Sequence, residues 1–279
     1  MPVRVVTDST CDLPPDLVAA HGITVVPLTV IFGDEALEDG TQITAPAFYQ
    51  RLRATRDLPR TSQPSVERFQ RAYRAAGADG ADIVSIHISS KLSGTLNSAS
   101  VARETLKHEL HIDLIDSYNV SVGLGLVVLE AARAAASGGS LPDVVAAARR
   151  AMDRVSVYVA VDTLEYLQRG GRIGRARSLL GSILSIKPIL MVDQGEVAPF
   201  ERVRTRTRAH ERILELAAGM PRAREMFIAH GDLPEEAAAA LDRLRPALPH
   251  TTLHTAFLGP VVGTYTGPGA FGVAALERE

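Results

Sequence analysis

Three loops rich in hydroxyls, the last two also carrying glycine, lie far apart in the chain, at residues 60–65 (RTSQPS), 89–95 (SSKLSGT) and 259–269 (GPVVGTYTGPG). Each sets short hydroxyl donors beside flexible backbone, which is the equipment for gripping one anionic group. None carries an adjacent base, so the pattern favours binding over bond-breaking. Ser93-Gly94-Thr95 is the strongest of these signals. It stands at a strand-to-helix junction, where free N–H groups and a positive dipole end could receive an anion, or where the serine could simply cap the helix. The spacing G-x-x-x-x-G-K-[ST] of a phosphate loop is missing, and no serine is framed as G-x-S-x-G. Near the start, residues 7–14 (TDSTCDLP) follow the first strand, so Asp8, Ser9 and Thr10 either face the crevice at its carboxyl end or form a turn and helix cap.

Other clusters are weaker. His108 and His111 fall one residue short of the H-E-x-x-H spacing and read as a chance pair at a helix end. His87 and His230 each close a strand and read as core or supporting residues. Cys11, beside Asp8 and Asp12, lacks a cation to activate its thiol and reads as structural. Residues 169–177 form a basic, glycine-rich stretch without the aromatics that nucleic-acid stacking needs, so a solvated or partner-facing patch is expected. Arg202, Arg204, Arg206 and Arg208 recur at every second position. On a strand they would share one face, either an edge guarded by charge or a surface for an acidic partner.

The elements that must carry these residues alternate. Strands are expected at 3–6, 23–31, 82–88 and 111–115, with helices over 44–53, 64–76, 94–110 and 121–136 between and after them. Such alternation implies parallel crossovers, with ligands at the carboxyl ends of the strands. The break at 137–142 (SGGSLP) precedes a helix over 141–154 and a strand over 156–161. We therefore expect an N-terminal α/β domain over 1–155 and a C-terminal one over 156–279. The second half reads as strands at 187–192, 196–199 and 201–207, then helix, strand, helix and strand, with 259–272 loop-like.

Composition fits. At 279 residues the chain is long for one core, and 46% apolar with 22% charged residues is ordinary for a globular α/β protein. A net charge of −2 gives no global field for nucleic acid or an anionic membrane. The single cysteine rules out an internal disulfide or a thiolate-rich zinc site and fits a reducing compartment. The first residues lack the build of a signal peptide, and no apolar run reaches spanning length. A cytoplasmic protein with no metal, no cofactor, no nucleic-acid partner and no stable membrane insertion is expected.

Together, residues 7–14, 61–65 (TSQPS), 89–95, 116–117 (DS), 167–174 (LQRGGRIG), 186–190 (IKPIL), 203–206 (VRTR) and 259–269 closely resemble the DegV family of bacterial fatty-acid-binding proteins, in order and over nearly the whole chain. The resemblance implies two domains: an N-terminal three-layer α/β domain with a parallel sheet and a C-terminal two-layer α/β domain with a mixed sheet. A long-chain fatty acid would lie between them. It further implies a carrier rather than a catalyst, one that presents its acid to a separate ATP-dependent kinase subunit forming an acyl phosphate for phospholipid synthesis. The carboxylate-binding threonine maps to Thr61, the serine of S-G-T to Ser93 and the backbone donor after it to Gly94. Ser9, Ser62, Thr95 and Thr266 belong to the same loops and complete the expected ligand site. An arginine linked to carboxylate or kinase contacts maps to Arg204. One position departs: where many members read G-T-H-T-G-P-G, this chain has Tyr265, whose phenol donates a hydrogen bond but brings no positive charge. Apolar residues in 179–191 and 257–262 are candidates to line an acyl tunnel. The competing reading is a serine hydrolase of a small anionic ester using Ser93 or Ser9, which requires a histidine such as His87 or His230 within hydrogen-bond reach.

Overall fold

The structure, a computed structural model, describes residues 1–55, 57–180 and 186–279. Its first half builds a parallel sheet from β1 (Val3–Asp8), β2 (Thr24–Val26), β6 (Asp82–His87) and β7 (Ile112–Asp116), in the order β2-β1-β6-β7. The crossovers include α1 (Pro15–Ala20), α3 (Val66–Ala76) and α4 (Thr95–Leu106); α5 (Val122–Ala136) and α6 (Leu141–Met152) follow β7. Helices α3 and α4 cover one face of the sheet while α5 and α6 cover the other, which makes three layers. Between β2 and α3 the chain leaves this sheet. It forms β3 (Thr29–Phe32), β4 (Glu35–Glu38) and β5 (Arg60–Ser62), a small antiparallel sheet of order β4-β3-β5, with α2 (Ala45–Ala54) between β4 and β5.

The second half forms a six-stranded mixed sheet of order β10-β9-β8-β13-β11-β12. Its strands are β8 (Val155–Ala160), β9 (Lys187–Asp193), β10 (Glu196–Val203), β11 (Ala223–His230), β12 (Thr252–Phe257) and β13 (Phe271–Glu277). Helix α7 (Glu165–Arg169) and a 3-10 turn over Gly174–Leu179 precede β9; α8 (Arg206–Ala218), α9 (Pro234–Leu244) and α10 (Pro260–Thr266) follow in order. Helices α8 and α9 lie on one face of this sheet. Its other face rests on α5, so that one helix is packed between the two large sheets. Among the described residues no helix is long and apolar enough to cross a membrane.

The sequence of α5 explains its place. Every residue from Val122 to Leu129 is buried, as a helix apolar on all sides must be. Two glycines allow the close approach: a Cβ on Gly125 would stand 2.8 Å from the Cys11 carbonyl oxygen, and one on Gly123 would meet Val157 at 2.5 Å. Where the chain leaves the sandwich, polar contacts hold it. Glu225 on β11, 1% exposed, receives Nη1 and Nη2 of Arg133 from α5 at 2.6 and 2.9 Å and faces Nε2 of His254 at 3.0 Å.

Four expectations need correction. The strand over 23–31 is two strands in different sheets, because Pro27 lacks the N–H that would continue the β2 ladder, and the chain turns there. The strand at 196–199 runs on as β10 to Val203, through an irregularity between Pro199 and Glu201. The alternating arginines do not share a strand face: β10 stops at Val203, and Thr205 caps α8 by accepting the Arg208 N–H at 3.1 Å. Arg206 and Arg208 therefore sit in a helical turn, and local capping outweighs the period-two pattern. Residues 259–272 are not a loop, since Pro260 occupies the first turn of α10 and Gly267, at φ 74°, ends it before β13. Of the proposed tunnel-lining stretch 179–191, residues 181–185 lie outside the described residues.

Candidate functional site

The three hydroxyl-rich segments converge. Thr61 reaches the site from the short strand β5, Ser93 from the turn between β6 and α4, and Tyr265 with Thr266 from α10. They line a cavity of about 530 Å³, counting its open mouth, together with Thr10, Leu92, Arg172 and apolar side chains that include Leu28, Ile88 and Val261. The Thr61 and Tyr265 hydroxyls touch each other at 2.5 Å, and Ser93 Oγ lies 2.8 Å from the Thr95 hydroxyl. Thr95 N–H also points to Ser93 Oγ at 3.3 Å, a local serine turn ahead of α4. A Cβ on Gly94 would stand 2.1 Å from Gln63 Oε1, so this exposed side chain would have to move aside; Gln63 Nε2 donates to Ser98 Oγ at 3.0 Å and ties the 60–65 segment to α4.

Four of the expected ligand residues do not line this cavity: Gly94 and Thr95, which follow Ser93, and Ser62 and Ser9, which stand elsewhere. Ser62 is exposed and donates to the Gln63 carbonyl at 3.3 Å. Ser9 lies behind the cavity wall, donating to Asp39 Oδ2 at 2.8 Å and accepting the Leu28 N–H at 3.0 Å. Arg204 is exposed just beyond the end of β10.

The sequence reading missed Arg172, which it had placed in a solvated basic patch. Its guanidinium stands 5.0 Å above the Tyr265 ring, donates from Nε to the Leu92 carbonyl at 3.1 Å and from Nη1 to the Gly170 carbonyl at 2.9 Å. The positive charge that Tyr265 does not bring is thus supplied to the same cavity by a neighbour stacked on it. The only hint in the sequence was that this arginine belongs to the 167–174 segment shared with the family.

A second cavity, about 590 Å³ counting its open side, adjoins the first. Both are lined by Val120, Leu167, Val197, Val262 and Thr266. Its further walls come from α5, β8, β9 and β13, with Val122, Val157, Val159, Leu190 and Val273 among them, and among the described residues no charged one lines it. Val157, Tyr158 and Val159 of β8, an interior strand, line this cavity and stay only half-buried. On the outer side, Ser93 and Gly94 also border a shallow surface groove with Ser90, Asn97, Ser100 and Arg103. A surface groove, a hydroxyl-lined cavity with one guanidinium and an apolar cavity between the large sheets thus lie side by side, each sharing wall residues with the next.

The histidines are engaged elsewhere. His87 Nδ1 meets Asp8 Oδ2 at 2.9 Å and its Nε2 meets Ser85 Oγ at 2.6 Å, the order of acid, imidazole and hydroxyl found in serine hydrolases. Ser85 is fully buried and also contacts the Tyr73 hydroxyl at 2.9 Å, so substrate has no path to it. This chain of bonds ends at Thr10, whose hydroxyl donates to Asp8 Oδ1 at 2.5 Å and so has no proton left for an anion in the cavity. Asp8 is also a cap, accepting the Thr10 N–H. His230 Nδ1 accepts the Leu233 N–H at 3.1 Å, and burial pushes its pKa down to about 4. Among the described residues, neither Ser93 nor Ser9 has a histidine partner. Burial pushes the Cys11 thiol up, which leaves it unreactive.

A three-layer and a two-layer α/β domain, joined across a polar-mouthed apolar cavity, define a class of small-ligand-binding proteins. A family model described as "Uncharacterised protein, DegV family" matches residues 2–278, and the chain belongs to that family. A DegV domain-containing protein of Streptomyces coelicolor is 42% identical over 280 residues, with 99% of each chain covered. Among solved structures, a fatty-acid-binding DegV family protein from Thermus thermophilus is 36% identical with a TM-score of 0.90, and DegV of Bacillus subtilis, described as a fatty acid binding protein, is 34% identical with a TM-score of 0.90. Both alignments cover 100% of each chain.

Proposed function

We propose that this chain binds a long-chain fatty acid, with its carboxylate among Thr61, Ser93, the Gly94 N–H, Tyr265 and Arg172 and its acyl chain in the apolar chamber. The observation that carries this reading is that the two cavities share a wall, the first lined by hydroxyls and the second, among the described residues, by no charged one. A buried carboxylate is costly unless several donors meet it, and these groups offer hydroxyl, backbone and guanidinium donors within one mouth. At about 0.8 kcal/mol per methylene, a chain of roughly fourteen methylenes gains on the order of 11 kcal/mol before ordering costs. The fatty acids bound by the Thermus and Bacillus relatives support the same ligand class.

The carboxylate end faces the surface groove at Ser93, which suits a carrier that offers its reactive end to another protein. We assign that partner as a separate ATP-dependent kinase subunit forming an acyl phosphate, with Arg204 on the docking side and the carrier itself non-catalytic. The two domains span 1–155 and 156–279, with the boundary at the start of β8, and the buried thiol of Cys11 fits a cytoplasmic setting.

Organic extraction of the purified protein followed by mass spectrometry tests the ligand. A stoichiometric fatty acid, with affinity lowered in Ser93→Ala, is expected. Lipid-free protein that binds no added fatty acid would defeat the proposal.

A further inference from the structure

The start of α10 is held by two carboxyl groups from distant parts of the chain. Gly259, the cap position of α10, has no side chain with which to receive the first N–H groups of the helix. Asp12 Oδ1 accepts the Gly259 N–H at 3.0 Å, and its Oδ2 accepts the Ser121 hydroxyl at 2.5 Å. Asp39, 5% exposed, is bonded to the Val261 N–H and accepts the Ser9 hydroxyl at 2.8 Å; Ser9 Oγ then accepts the Leu28 N–H. Both aspartates thus grip the first turn of α10, and Val261, Val262, Tyr265 and Thr266 of that helix, with Leu28, line the cavity. Asp12 holds a left-handed backbone at φ 50°, as does Ser121 at φ 56°; these strained conformations persist only where their surroundings fix them.

We propose that Asp12 and Asp39 are positioning residues of the cargo site, fixing α10 so that Tyr265 and Thr266 stand at its mouth, and that the Asp39 proton is linked to anionic cargo. This rests on the fatty-acid reading above. Burial pushes the Asp39 carboxyl up to about 7; Asp8 adds to the rise, while the bonds from Ser9 and Val261 oppose it. Asp8 on β1 and Cys11 and Asp12 in the following turn are the titratable groups facing it, and Asp12 is itself held well above the usual range, chiefly by burial. Glu38, its chain neighbour, is paired with Arg68 at 2.7 Å. A carboxylate entering the cavity adds negative charge to a space lined by Val261, whose N–H Asp39 holds, and so favours protonated Asp39. Binding therefore takes up a proton near neutrality, and affinity falls as pH rises through about 7.

Wild type, Asp39→Asn and Asp39→Ala are titrated with palmitate between about pH 6 and 8, by calorimetry in two buffers of different ionisation enthalpy. Asp39→Asn keeps an uncharged acceptor of the same shape; it should stay within about three-fold of wild type at the acidic end but lose both the pH slope and the proton uptake. Asp39→Ala should bind about ten-fold more weakly, equivalent to roughly 1.4 kcal/mol. Wild-type affinity in Asp39→Ala, or a retained slope in Asp39→Asn, overturns the proposal. Failure of wild type to bind palmitate at any pH sinks the fatty-acid reading instead. Hydrogen exchange then decides the positioning role: protection lost in α10 alone in Asp39→Ala sustains it, and unchanged protection there rejects it.

Discussion

The contact between Thr61 and Tyr265 makes a quantitative prediction, because two hydroxyls 2.5 Å apart share two protons. One proton lies in the bond between them, and one remains for a guest carboxylate whichever oxygen donates. Tyr265→Phe leaves Thr61 with its own proton, and Thr61→Val leaves Tyr265 with its own, so each single variant still offers one donor. The valine keeps the β-branched shape that suits strand β5. Each single change should cost only about 0.5–1 kcal/mol, the worth of a neutral hydrogen bond between exchanging partners. The double variant offers none, and losing a charge-assisted bond should cost about 2–3 kcal/mol, more than the sum of the two. Displacement of a fluorescent acyl probe measures all four proteins, with no tryptophan in the chain to overlap the signal. Strict additivity, or a single variant as weak as the double, would refute this account of the shared proton.

Arg172→Gln removes the cation stacked on Tyr265 and should weaken fatty-acid binding about three- to ten-fold; the salt dependence of binding should shrink with it, as titrations at low and high ionic strength will show. Burial pushes Glu225 up, but bonds from His254 and Arg133 more than reverse this and leave its carboxyl at about 2. That is below its ordinary value of 4.5, so the stability it contributes is fully present above 4.5 and is lost as pH falls through about 2. Arg133→Ala should cost about 2–3 kcal/mol and shift the acid-unfolding limb to higher pH, and a midpoint within about 1 °C of wild type in thermal scans at neutral pH would contradict it.

Part of this site could be read from residue types. The loops holding Thr61, Ser93 and Tyr265 stood out as clusters of hydroxyl donors, and the family resemblance then singled out Thr61, Ser93 and the departure at Tyr265. Local signals failed where two of them competed. The arginines from 202 to 208 alternate like a strand, yet a threonine cap at 205 turns half of them into a helix. Residues 259–269 looked like a glycine loop, and only the carboxylates of Asp12 and Asp39, distant in sequence, show why a helix can start there. Arg172 and the bonds joining Asp8, His87 and Ser85 were invisible for the same reason, since their meaning lies in long-range contacts that no spacing encodes.

The helix between the two large sheets constrains how cargo can be exchanged. Swinging the halves apart like a clam would strip one side of α5, and rewetting even five of its leucine and valine side chains would cost roughly 7–15 kcal/mol. On that scale the mouth is the cheaper door. The stacked Arg172, exposed and outside both large sheets, can move there while Asp12 and Asp39 hold α10. On the fatty-acid reading the protein is then less a hinged box than a rigid sleeve with a fitted stopper, and its exchange rate should follow Arg172 rather than the domains.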